Sequence, residues 1–148
     1  MKLSEHFTLE ELTFSDTAAR YGLSNEPTAR ILENLRDVLA PGLEQVRALL
    51  GCPVLVSSGF RSESVNAAVG GSIASQHRFG LAADFRAPDF GTPLEVAKAI
   101  EASAIQYDQL ILEFGCWVHI SFVNRPPRRE ALSIYKAGKY LPGLVERS

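Results

Sequence analysis

Histidine is scarce in this chain of 148 residues: there are three, beside two cysteines, one tryptophan and one methionine. Cys52 and Cys116 lie far apart, with no apolar leader before them. They are too few for a disulfide framework and too isolated for a thiolate metal site, so reduced, partly buried thiols are expected. An excess of either charge is lacking as well. Fifteen Lys and Arg stand against 17 Asp and Glu, a net charge of −2. Apart from a local cluster at Arg125, Arg128 and Arg129 there is no basic stripe, which demotes nucleic acid as a partner. No run approaches the ~18 apolar residues of a membrane-spanning helix, and Met1 to His6 hold no signal-peptide core. Synthesis in the cytoplasm without membrane insertion is therefore expected. Repeats, linkers and low-complexity tracts are missing too. What is present is ordinary, 46% hydrophobic and 22% charged, enough for one domain over 1–148 with a single core. Nothing in it sets an oligomeric state.

Taken in order, Thr8 stands three residues before Glu11, the spacing of a capping box, with Phe7 and Leu12 placed for a hydrophobic staple. A short helix starts there. Ser15 to Asn25 reads as a surface loop, with His6 an exposed or capping residue at its fringe. Pro27 is placed in the first turn of the next helix. The apolar phase of Ile31, Leu35, Val38, Leu39, Leu43, Val46, Leu49 and Leu50 continues across Pro41-Gly42, which predicts one kinked helix ending at Gly51. Val54–Ser58 reads as a strand and Ser62 as the cap of a short helix broken by Gly70-Gly71. A strand through Leu81–Arg86 follows. Thr92, Pro93 and Glu95 then start a further helix that runs to about Ala102. Asp108–Phe114 and Trp117–Phe122 predict a hairpin about Gly115-Cys116. Leu132–Tyr135 reads as an edge strand, with frayed residues after it. Helices first and strands later give an α+β fold, a small antiparallel sheet packed against helices.

Two of the three histidines fall in stretches that carry chemistry. His77 lies seven residues before Asp84, and His119 follows on a later strand. Strand alternation puts Ala82 and Asp84 on one face, opposite Leu81, Ala83 and Phe85; it also groups Trp117, His119 and Ser121 opposite Val118, Ile120 and Phe122. If the two strands are neighbours, Asp84 and His119 converge and His77 joins from the loop, with Gly80 and Ala82 leaving room. Two imidazoles and a carboxylate suit a tetrahedral zinc with one open position, where a water is acidified toward a pKa of ~7. A hydrolase of this kind needs a general base. Glu113, facing Trp117 across the hairpin, is the candidate and Asp108 the runner-up. The same spacing also fits a hydrogen-bonded structural cluster without metal.

Ser75-x-His77-x-x-Gly80-x-Ala82-x-Asp84, with Trp117-Val118-His119 downstream, resembles the zinc D-alanyl-D-alanine carboxypeptidases, whose fold is shared with hedgehog signalling domains. Ser57-Ser58-Gly59-Phe60-Arg61-Ser62 with Asn66 resembles another segment of that family. Ser4 to Leu12 is similar to the N-terminal helix of its small phage and prophage members. The likeness spans nearly the whole chain in order. It implies His77, Asp84 and His119 as ligands of one Zn²⁺, and hydrolysis of peptide bonds in bacterial peptidoglycan stem peptides. It further implies Arg61, Ser75 and Trp117 as substrate-binding residues, with Gln109 as a supporting donor. By analogy, a lytic member would depend on a separate pore-forming protein to reach the cell wall. One departure stands out: several members carry an acid three residues before the last histidine, where this chain has Cys116. Glu113, six residues before it, fits the register of other members. The alternative is a catalytically inactive, zinc-stabilised cell-wall-binding or virion assembly module.

Overall fold

The computed structural model describes residues 1–147 and has an α+β architecture. Helix α1 (Leu9–Thr13) begins with the expected capping box: Thr8 accepts from the Glu11 amide while Glu11 reaches back to the Thr8 amide. Phe7 and Leu12 are both buried against the core. The segment after it is not a plain loop. Ser15 caps a second helix, α2 (Asp16–Tyr21), which ends on left-handed Gly22; its single buried residue, Ala18, is too little apolar signal to reveal a helix. Pro27 lies two residues before α3 (Ala29–Asn34) and not in its first turn, because Thr28 is the cap.

From α3 the chain stays helical through a π turn (Leu35–Leu39) into α4 (Ala40–Leu50), which stops at left-handed Gly51. The chain is one continuous helical segment here, as the apolar phase predicts, and its irregularity is a π turn with a local cause. Pro41 has no N–H and its ring would strike the carbonyl one turn back. The wide turn immediately before it, closed by Ala40 N–H to the Leu35 carbonyl, accommodates the ring. Gly42 has a separate role: a Cβ there would lie 2.4 Å from the Phe122 ring.

The sheet has the order β1-β2-β4-β3-β5-β6: β1 is Leu55–Ser58, β2 Ala82–Arg86, β3 Gln109–Glu113, β4 Trp117–Ser121, β5 Glu130–Lys136 and β6 Lys139–Pro142. Helix α5 (Glu63–Ala68) and a 3₁₀ turn (Gln76–Phe79) lie between β1 and β2, and α6 (Pro93–Glu101) follows β2. One face of the sheet presents Ala83, Phe85, Leu110, Val118 and Ile120 to Leu35, Leu39, Leu43, Val96 and Ile100 of the helices, and these form the core. The opposite face is left for chemistry.

Two expectations for the sheet need correction. β3 and β5 are parallel, and β5 is an internal strand because β6 pairs beyond it. One edge of β4 is taken by β2 and the other by β3. The strand after β4 reaches the free edge of β3 by rounding the N-terminal end of β3, and it runs there parallel to β3. The passage is anchored. Asp108, fully buried, accepts from the Arg128 amide and guanidinium and from Gln76 Nε2. Arg129 donates to the Ile105 and Ser103 carbonyls and lies 4.7 Å from the Tyr107 ring. The basic cluster noted in the sequence is thus occupied in holding the chain together.

Candidate metal centre

Register brings the expected face together. β2 and β4 are antiparallel neighbours with Asp84 directly opposite His119. His77 enters from the 3₁₀ turn, which Ser75 caps by accepting from the His77 amide. His77 Nε2 lies 3.2 Å and His119 Nδ1 3.1 Å from Asp84 Oδ1, and the two nitrogens are 3.2 Å apart. All three side chains are buried.

This triangle fits a tetrahedral metal. Bonds of about 2.0–2.1 Å give a tetrahedron edge of about 3.3 Å, near the observed spacing. The tautomer points the same way. His77 Nδ1 is 2.7 Å from the Gly59 carbonyl, which accepts only if Nδ1 carries the proton. Nε2 then presents either a lone pair or, on a charged ring, an N–H to the Asp84 carboxylate, and a metal ion among these atoms would take the place of that proton. Asp84 is prepared for such a role. Burial opposes its charge, but the imidazoles of His77 and His119 outweigh burial and hold the carboxyl well below the usual range. Its other oxygen, Oδ2, accepts from Arg61 Nη2 at 3.1 Å, and Arg61 Nε donates to Ser58 Oγ. Arg61 thus fixes the carboxylate that faces the cation, as outer-shell partners of metal sites do.

Gly59 was not among the residues singled out for chemistry, yet it sets the tautomer. A Cβ on it would fall 2.5 Å from the Leu12 carbonyl, so only glycine lets this segment lie against α1. Phe60 N–H donates to that carbonyl and Arg61 N–H to the His77 carbonyl. The Ser-Gly-Phe-Arg-Ser segment carries the signal, in its glycine as much as in Arg61. Gly80 departs from expectation in the other direction. Its open side faces Ile31 and Leu35, not the metal cluster, and its φ of 70° is the left-handed cap of the 3₁₀ turn.

Glu113 is opposite Trp117 in the β3–β4 hairpin, two pairs along from Ile111 and His119 and so on the same face. Burial first, and then the Asp84 charge, push its carboxyl above the ordinary value; His119, Trp117 and Arg61 pull the other way. The indole N–H of Trp117 is buried and makes no full hydrogen bond, but its dipole favours the Glu113 carboxylate. Trp117 also meets the Phe114 ring at 5.8 Å.

The remaining candidates lie elsewhere. Asp108, the alternative base, has both oxygens engaged, and Arg128 above all holds it well below the carboxylate range. Gln109 donates to Glu130. His6 pairs with Glu44 at the surface. Cys52 and Cys116 are free thiols, but Cys116 is exposed in the hairpin turn, not partly buried.

Fold and site together present a buried His-Asp-His set that could hold a metal ion. Residues 5–121 match the family described as Peptidase M15, and the chain belongs to that family. Its peptidases are metal-dependent, and His77, Asp84 and His119 are the cluster here that can bind a metal. No curated protein matches the chain. No helix among the described residues is long and apolar enough to cross a membrane.

Proposed function

We propose that the chain is a zinc metallopeptidase that hydrolyses peptide bonds in bacterial peptidoglycan stem peptides. The observation that carries this reading is the 3.1–3.2 Å triangle of His77, Asp84 and His119 beside a carboxyl whose proton affinity is raised, Glu113. Zinc, when bound, supplies Lewis acidity that acidifies a water and polarises a carbonyl. Glu113 takes the water's proton and delivers it to the amide nitrogen as the C–N bond breaks, a role helped by a pKa closer to neutrality than that of an ordinary carboxylate. Arg61 Nη1, which has no hydrogen bond among the described residues, is available to the carbonyl oxygen as it gains charge. Ser75 accepts through its oxygen and keeps its O–H for substrate, and Trp117 walls the base side. The cell-wall substrate and a lytic role, with a separate pore-forming protein providing access, rest on the resemblance to small phage and prophage relatives.

Digestion of purified peptidoglycan, with fragments identified by mass spectrometry, tests the reading. Released stem-peptide fragments that vanish on chelation and return with Zn²⁺ are the expected result. Tight binding to the wall with no fragments would instead identify an inactive module, the reading favoured by Cys116 in place of an acid. Elemental analysis of the purified protein should find one zinc per chain.

A further inference from the structure

The face that carries the metal cluster does not end at Glu113. β5 pairs with β3 so that Ile134 is opposite Glu113, and β6 pairs with β5 so that Tyr140 is opposite Ile134. Residues directly opposed across a ladder share a face. One row therefore runs Trp117, Glu113, Ile134, Tyr140 across four strands. Ile134 is buried, while Tyr140 is 52% exposed on the outermost strand. The Glu113 charge is near enough to add to burial in raising the Tyr140 phenol's pKa, so the phenol lies within electrostatic reach of the base. At the opposite end of the row the Phe114 ring lies tilted at 50° to Trp117, on a backbone held at φ +56°, a conformation that a side chain this large rarely adopts. The match to the family covers residues 5–121, and β5 and β6 continue the platform beyond the matched region.

The direction of the reaction decides what that extension meets. Metal cluster and Arg61 lie over β1, β2 and β4, and the base lies over β3. A base that returns its proton to the leaving amine has the leaving half of the substrate on its own side, so that half departs over β5 towards β6. Two strand spacings separate Glu113 from Tyr140, about 10 Å between backbones. At about 3.3 Å per extended residue, a single-residue leaving group stops well short of Tyr140, one of two residues comes within reach of its side chain, and one of three spans the distance.

We infer that Tyr140 is a specificity-determining residue on the leaving-group side, and that the site favours an internal peptide bond with at least two residues beyond it. The phenol supplies a ring for the chain to lie on and a hydroxyl that can donate to or accept from a peptide group. This rests on the peptidase reading above.

The test uses the zinc-loaded protein and a nested set of synthetic stem peptides truncated to leave one, two or three residues beyond the cleaved bond. The wild type should show a kcat/KM that rises at least about tenfold from the shortest to the longest, since contacts with remote parts of a substrate contribute to catalysis. In Tyr140→Ala that ratio should fall by at least about fivefold, and in Tyr140→Phe by less, with zinc content unchanged. Tyr140→Leu retains apolar packing on β6 and serves if the alanine variant does not fold. An unchanged length preference in folded, zinc-loaded variants overturns the inference while leaving the peptidase intact. No cleavage of any peptide by the wild type overturns both.

Discussion

Glu113 carries an uncomfortable charge. Burial and the facing Asp84 carboxylate raise its pKa, so the folded protein holds the proton more tightly than the unfolded chain does. A raised folded pKa contributes stability below the unfolded value and loses it as pH rises through the folded value. Glu113→Gln in chelator-treated protein should therefore melt at or above the wild-type temperature at pH 7, and the gap should close at pH 4, where the wild-type carboxyl is also neutral. Turnover should be abolished while zinc remains bound. A clear loss of thermal stability at pH 7, by scanning calorimetry, would remove the physical argument for Glu113 as a site held at a cost to the fold. His77 shows the complementary principle: its ring does not choose its own tautomer. The Gly59 carbonyl does that, and Gly59 can be there only because nothing projects from its Cα towards Leu12.

At the scale of elements, the long helix and the sheet are fitted to each other at one glycine. The absent Cβ of Gly42 is replaced by the Phe122 ring, which would be 2.4–2.5 Å away from it. Gly42→Ala should improve helix propensity yet destabilise the protein by about 1–3 kcal/mol, because neither the helix backbone nor a core ring can yield cheaply. Urea unfolding measures this, and adding Phe122→Leu should recover most of the loss. Equal losses in the single and double variants would mean that the clash is not the cause. The connection around the start of β3 depends in turn on a charge pair. Arg128→Ala leaves the Asp108 carboxylate buried with fewer donors, for an expected loss of about 2–3 kcal/mol, at the low end for a buried pair because Arg128 is half exposed. Arg128 depresses the Asp108 pKa, so this stabilisation is present above the usual aspartate value and lost as pH falls. The gap between variant and wild type should begin to narrow near pH 4 and close only well into the acid range, as Asp108 becomes protonated in the folded protein; a gap that does not narrow as the pH falls would assign the loss to packing.

Across the whole molecule, local signals and long-range placement divided the information. Thr8 with Glu11 and Thr92 with Glu95 specify helix starts within four residues, and both capping boxes form. The α+β class and the hairpin facing Glu113 with Trp117 were likewise legible, because capping chemistry and strand alternation act over short range. Alternation also put Asp84 and His119 on polar faces of their strands. α2 was not legible, since a helix that buries only Ala18 leaves no apolar period. Nor was the parallel pairing of β3 with β5, which follows from which strand edges are already taken, a property of the sheet and not of any segment. The same holds for Arg61. Its sequence neighbourhood suggested a cation for substrate, and only the packing of β1 against β2 shows that one of its nitrogens is committed to Asp84. By itself the sequence determined which residues are chemically able to hold a metal and move a proton. The tertiary structure decided which of them meet, because a ligand set needs atoms from separate strands within about 3 Å, and no local rule carries that distance.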